Sequence, residues 1–140
     1  MTKSQLTSYL CLFVFIVAQL VHFSNGDVGT AGRYSAPYIP TACNGNDPSQ
    51  FPSSNMFAAA GEGVWDNGAS CGRKYMVRCI SASVPRICKP GQTILVRVVD
   101  RALTSVSRPS RNGATIVLST TAFNAIANGA ATSINIEFQE

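Results

Sequence analysis

Hydrophobic and polar residues alternate with a period of two along much of the chain. In residues 93–100 (TILVRVVD), one face carries Ile94, Val96, Val98 and Asp100, and the other carries Thr93, Leu95, Arg97 and Val99. In residues 133–138 (SINIEF), Ile134, Ile136 and Phe138 alternate with polar neighbours. Both segments predict strands with a core-facing side. Shorter runs at 28–34, 56–60, 75–80 and 114–118 predict further strands. Helical spacing occurs once, where Ser119 can cap a turn that puts Ala122, Phe123 and Ile126 on one face before Asn128-Gly129 stops it. Turn signals fall between the strands at Asn44-Gly45, Asn67-Gly68, Lys89-Pro90-Gly91 and Asn112-Gly113. Several short strands with one short helix predict a small closed β-barrel, which leaves no sheet edge exposed. The Ser-, Arg- and Pro-rich stretch at 104–113 reads as a loop, because strand-like residues resume directly after it.

The N-terminus has a different pattern. Lys3 precedes a run from Leu10 to Val21 that is apolar except for Gln19. Such a run is short for a bilayer span but fits the apolar region of a secretory signal. Ser24 and Gly26 are small residues at the spacing a signal peptidase accepts, so residues 1–26 are expected to be a signal peptide and 27–140 the mature domain. Secretion to the extracellular space is the corresponding expectation, with no membrane span.

Composition narrows the class. The 140 residues are 46% hydrophobic and 13% charged, with a formal net charge of +4. That excludes a disordered charged tail, and 114 residues after Gly26 make one domain. The only histidine, His22, and Cys11 both lie in the leader. The mature chain therefore has no histidine for a Ser-His-Asp or Cys-His site. Its four cysteines, Cys43, Cys71, Cys79 and Cys88, are separated by 27, 7 and 8 residues and contain no CxxC pair. No metal or cofactor is expected, and an even count in an oxidising compartment reads as two disulfides with three possible pairings. A mature net charge of +3 (10 basic, 7 acidic) is too small to suggest nucleic acid for a secreted chain. Basic residues such as Arg73-Lys74 would instead meet acidic wall polymers or headgroups. The protein is expected to be a monomer.

Several segments taken in order resemble a known family. They are Tyr38-Ile39-Pro40-Thr41-Ala42-Cys43-Asn44-Gly45, the stretch GVWDNGASCGRKY from Gly63 to Tyr75, Arg78-Cys79-Ile80, Val96-Arg97-Val98-Val99-Asp100, and LSTTAFNAIA from Leu118 to Ala127. Together they resemble plant natriuretic peptide-like proteins with a family-45-endoglucanase-like domain, which include blight-associated proteins and are relatives of the expansin N-terminal domain. The resemblance implies an all-β, six-stranded double-psi β-barrel with disulfides Cys43–Cys71 and Cys79–Cys88. It also implies secretion to the plant apoplast and a role in water and solute homeostasis, with a plasma-membrane receptor or a cell-wall polysaccharide as partner. A non-hydrolytic wall-binding or wall-loosening module is the alternative.

The resemblance also marks a candidate groove. Asp100 matches the aspartate of the polysaccharide groove in expansin-like barrels. An acid on an apolar strand face is either hydrogen-bonded within the fold or exposed in a groove. Tyr34, Trp65 (the one tryptophan) and Tyr75 are candidate groove aromatics, since rings pack on the C–H faces of sugars. Inverting glycosidases need a second carboxyl group. In the family it sits just before the Leu-Ser that opens the helix, and here Val117 occupies that place. Asp47, Asp66 and Glu62 have no sequence feature that sets them opposite Asp100, so a non-enzymatic protein is expected. The loop after Asp100 lacks the two cysteines of many relatives and carries Arg101, Arg108 and Arg111. It reads first as a solvated loop and second as an anion-facing one.

Overall fold

The computed structural model describes residues 2–22, 26–102 and 113–140. Arg108, Arg111 and Asn112, and Ser24 of the expected cleavage site, lie outside the described residues. Six strands close into a barrel: β1 (Asp27–Tyr34), β2 (Phe57–Ala60), β3 (Lys74–Ser81), β4 (Thr93–Arg101), β5 (Ile116–Ser119) and β6 (Ser133–Gln139). Their order around the barrel is β1-β5-β2-β4-β3-β6, returning to β1. The β1–β5 and β2–β4 pairs are parallel and the other four are antiparallel. The six predicted strands all form, with ends shifted by one or two residues. The parallel pairings were not visible in the alternation, because a period of two sets a strand's faces and not its neighbour.

Among the described residues three α-helices accompany the barrel: α1 (Lys3–His22), α2 (Glu62–Trp65) and α3 (Thr120–Ile126). α3 forms for the reason the sequence offers. Ser119 Oγ accepts a hydrogen bond from Ala122 N at 3.2 Å, and Ala122, Phe123 and Ile126 are buried. The helix ends at Ile126, ahead of Asn128-Gly129, when Ala127 turns extended and bridges to Cys88. The short α2 was not foreseen from the sequence. It follows β2 directly and ends where Asp66 and Asn67 adopt left-handed backbone, at φ 53° and 51°. α1 leaves Leu6, Leu10 and Phe13 exposed, and among the described residues no helix is long and apolar enough to cross a membrane.

The apolar residues fall into two clusters. The larger fills the barrel and extends under α3, with Val77, Val96, Val98, Ile116, Leu118, Phe123 and Ile136 fully or almost fully buried. The smaller joins Tyr34, Phe57, Ala59, Val99, Ala102 and Val117, with Tyr38 and Phe51 packed on it from the segment between β1 and β2. Disulfides Cys43–Cys71 and Cys79–Cys88 form as the resemblance implied. The first ties the β1–β2 segment to the turn before β3, and the second closes the excursion between β3 and β4.

Candidate functional site

The strand register sets Asp100 and Val117 in one row. Gly32 pairs with Val117, Val117 with Ala59, and Ala59 with Asp100, so the row crosses β1, β5, β2 and β4. Adjacent strands lie about 4.8 Å apart, which sets the Asp100 and Val117 backbones roughly 10 Å apart across the small Ala59. Tyr34 lies two residues beyond Gly32 on β1 and packs in the same cluster as Ala59 and Val117.

Asp100 does not share the face of Val96 and Val98, contrary to the strict alternation. The β2–β4 ladder shifts register between Ala58 and Ala59. Ala58 pairs with Val98 but Ala59 pairs with Asp100, and Val99 is passed over. An extra residue in one strand resets which side the following residues face. Val98 stays in the barrel cluster, while Val99 and Ala102 join the second one.

The Asp100 carboxylate is fully buried. Its Oδ1 accepts hydrogen bonds from Ala42 N and Arg101 N, both at 2.8 Å. Both donors belong to the fold's own backbone. The donor segment is itself pinned. Thr41 and Gly45 exchange backbone hydrogen bonds, and the buried Gln50 amide donates to Thr41 Oγ1 and to Asp47 O, each at 3.0 Å. Tyr38 and Phe51 bring their rings to 4.7 Å from Phe57, edge to face. The row of Val117, Ala59 and Asp100 therefore lies beneath a cover rather than in an open trough.

Tyr34 is buried beside this row, and its hydroxyl has no hydrogen-bond partner among the described residues. Burial raises its phenol pKa far above the ordinary tyrosine range, and the nearby Asp100 charge and Tyr38 add to the shift. Trp65 is half-buried at the end of α2 and packs on the barrel cluster. The Arg101 guanidinium carbon stands 5.7 Å from the Trp65 ring centre, and both Arg101 donors reach the Glu62 carboxylate at 2.9 Å. Arg101 thus joins Asp100, through its backbone, to Trp65, through its side chain. The Glu62 carboxyl is held below its usual pKa range, chiefly by the hydrogen bonds from Arg101. Sequence reading placed Arg101 only in a basic loop and left Glu62 unassigned; the i to i+3 spacing of Glu62 and Trp65 was the available signal.

Tyr75 stands apart from Tyr34 and Asp100. It is buried in the barrel cluster with its ring 5.9 Å from Phe138. Both rings line a cleft of about 570 Å³ whose rim includes Glu62, Asp66 and Arg73. Arg73 bonds Asp66 at 2.8 Å across that rim. The four expected residues therefore divide: Tyr34 lies with Asp100 under the cover, Trp65 packs on the barrel cluster beside Arg101, and Tyr75, buried in that cluster, lines the cleft that Glu62 also borders. Among the described residues no group of three or more His, Cys, Asp or Glu side chains could hold a metal ion.

Comparison with known proteins matches this architecture. A double-psi β-barrel family model described as lytic transglycolase matches residues 58–138. An EG45-like domain containing protein of Citrus jambhiri is 36% identical over 96% of this chain and 96% of its own length. EG45-like domain containing protein 2 of Arabidopsis thaliana is 31% identical over 93% of this chain and 92% of its own. Among solved structures, a mutant Clavibacter michiganensis expansin in complex with cellohexaose superposes with a TM-score of 0.57 at 25% identity. That match covers 82% of this chain and half of the expansin. A closed six-stranded barrel, two disulfides and end-to-end similarity to these relatives place the chain in the family of EG45-like domain-containing proteins, with an expansin-like double-psi β-barrel.

Proposed function

We propose that the protein is a secreted, non-hydrolytic module that binds cell-wall polysaccharide, with residues 1–26 as its leader. The observation that carries this reading is the row formed by Asp100, Ala59 and Val117. It has the strand separation of a two-carboxylate glycosidase site, but one position is valine and the remaining acid is buried and hydrogen-bonded to backbone. A buried carboxylate held by two N–H groups positions the chain and is poorly placed to move a proton to a glycosidic oxygen. Likeness to an expansin solved with cellohexaose supports a glucan as the ligand class. Half-buried Trp65, with Arg101 and Glu62 beside it, offers a ring face flanked by charged hydrogen-bonding groups. In this reading Asp100 holds Arg101 and the 41–45 turn from beneath, and the sugar contacts lie at the rim.

The test is calorimetric titration of the purified, oxidised mature chain with cellohexaose and xyloglucan oligosaccharides, alongside a reducing-end assay. Binding that weakens about tenfold in Trp65→Ala, with no new reducing ends, is the expected result. Release of reducing sugar that disappears in Asp100→Asn overturns the non-hydrolytic part. Absence of binding to every neutral glucan overturns the polysaccharide part.

A second reading, signalling at the cell surface in water and solute homeostasis, is supported by the Cys43–Cys71 disulfide. It joins two of the segments that carry the natriuretic peptide-like resemblance, 38–45 and 63–75. Swelling of wall-free protoplasts on exposure to the folded protein favours this reading, since no wall polymer is then present.

A further inference from the structure

The outer face of the β3–β4 ladder contains an arrangement that stability does not explain. Lys74 and Arg97 are directly paired across the two antiparallel strands. Paired side chains point to the same face with their Cβ atoms about 5 Å apart, and like charges so placed repel. Three other arginines of the barrel do have acidic partners: Arg73 with Asp66, Arg78 with Glu137, Arg101 with Glu62. Among the described residues, neither Lys74 nor Arg97 has an ion pair or a side-chain hydrogen bond. The Nε of Arg97 is moreover shut off from solvent and unpartnered. Closed to solvent, that atom is closed to an outside anion as well, so a ligand would meet the part-exposed remainder of the Arg97 side chain, next to Lys74. The two cations also border a pocket of about 170 Å³, completed by Pro52, Ser54, Met56 and Leu95. Arg97 N donates to Met56 O at 3.1 Å, which fixes the 52–56 segment against β4 and so builds the pocket's far wall.

We infer that this pocket binds a carboxylate of an acidic glycan, a uronate residue of a wall polymer. The guanidinium offers a planar fork that matches a carboxylate, and Lys74 adds a second donor from the opposite strand. Ser54 contributes a hydroxyl, and Pro52, Met56 and Leu95 give the apolar surface that the C–H face of a sugar ring needs. The pocket shares no lining residue with the Tyr75 cleft and is bordered by neither Asp100 nor Trp65, so it is a distinct subsite. The choice of a glycan as the carrier of the carboxylate rests on the polysaccharide reading above; the choice of an anion does not.

Titration of the oxidised mature protein with a short oligogalacturonate tests the inference. Binding is expected, weakening as salt rises from about 50 to 500 mM. Lys74→Gln, an exposed substitution, is expected to weaken it about tenfold, and Arg97→Gln at least as much. Arg86→Gln removes an equal charge elsewhere and is expected to leave binding unchanged. The fully methyl-esterified oligomer, which lacks the anion, is expected not to bind. Equal affinity for the methyl ester, or an equal loss in Arg86→Gln and Lys74→Gln, overturns the pocket. Sedimentation with phosphatidylglycerol vesicles that depends on Lys74, without oligogalacturonate binding, overturns the glycan and leaves a phosphate headgroup as ligand. Cellohexaose titrated in parallel separates the two readings: neutral-glucan binding that survives Lys74→Gln belongs to the rim, and its failure alone leaves the anion pocket standing.

Discussion

Replacing Tyr34 by phenylalanine should stabilise the protein. Core tyrosine hydroxyls usually have a partner when buried, and removing such a hydroxyl normally costs stability. The Tyr34 hydroxyl is enclosed and accepts and donates nothing among the described residues. An unsatisfied buried hydroxyl costs about 1–3 kcal/mol in desolvation, so Tyr34→Phe is expected to gain about 1 kcal/mol at pH 7. The same hydroxyl makes stability depend on pH. In the unfolded chain its pKa is near 10.0, and in the fold burial, then Asp100, then Tyr38 raise it far above that. Below pH 10 both states hold the proton and the residue adds no pH dependence. Above pH 10 the unfolded state releases the proton and the native state keeps it, so stability falls by about 1.4 kcal/mol per pH unit. Urea unfolding of both proteins at pH 7 and pH 11, with disulfides intact, measures the difference directly. The advantage of Tyr34→Phe should grow from about 1 to about 2–3 kcal/mol between those values. A loss of more than 1 kcal/mol at pH 7, or an advantage that stays flat with pH, would refute the reasoning by showing that the hydroxyl has a partner.

Two further perturbations test the frame around the site. The Cys43–Cys71 link spans 28 residues and Cys79–Cys88 spans 9, so loop-closure entropy predicts that replacing each pair by serine costs about 3.6 and about 2.6 kcal/mol, respectively. Denaturant midpoints of the two double variants should keep that order, and the reverse order would locate the stabilisation in native contacts instead. Gly61→Ala would drive its Cβ into the carbonyl oxygens of Ala114 and Thr115, which are backbone and cannot swing aside. A loss of at least about 2 kcal/mol is expected by the same unfolding assay.

Residues 93–100 show what could be read from sequence and what could not. Their alternation gave the strand and its buried face, because burying one side of a barrel wall imposes a period of two on composition. It gave the wrong side for Asp100, because the slip between Ala58 and Ala59 is a property of the β2–β4 pairing. One extra residue in a ladder leaves no mark in the hydrophobic pattern of an apolar strand. The same limit hid the groove's cover. Tyr38, Phe51 and the Thr41–Gln50 hydrogen bonds belong to a segment with no periodicity, whose order comes from side-chain to backbone contacts and a disulfide. Nothing in the spacing of the candidate aromatics separates Tyr34 under the cover from Tyr75 in the barrel cluster.

The row of Gly32, Val117, Ala59 and Asp100 decides how far kinship with glycan-cleaving barrels extends to this chain. Restoring the missing acid by Val117→Asp tests whether only one carboxylate stands between it and hydrolysis. Two strand spacings, roughly 10 Å between backbones, suit the 6.5–9.5 Å that an inverting pair of carboxyl groups requires. Position 117, however, is fully buried against Tyr34, Phe57 and Val99. An ionised aspartate there would be an uncompensated buried charge, costing about 3–5 kcal/mol at pH 7. Burial and the nearby Asp100 carboxylate would raise its pKa in the fold above the unfolded value. The penalty is therefore small below about pH 4 and grows as pH rises through that value. The variant should unfold at lower urea than the parent at pH 7, approach it at pH 4, and release no reducing ends from cellulose or xyloglucan at either pH. The missing requirement is access as much as chemistry: an inverting mechanism needs a water and a sugar between the two acids, and here that space holds Ala59 beneath the Tyr38 and Phe51 cover. Cleavage by Val117→Asp that vanishes on adding Asp100→Asn would show that the cover opens, and that the loss of one carboxylate alone separates this barrel from an enzyme.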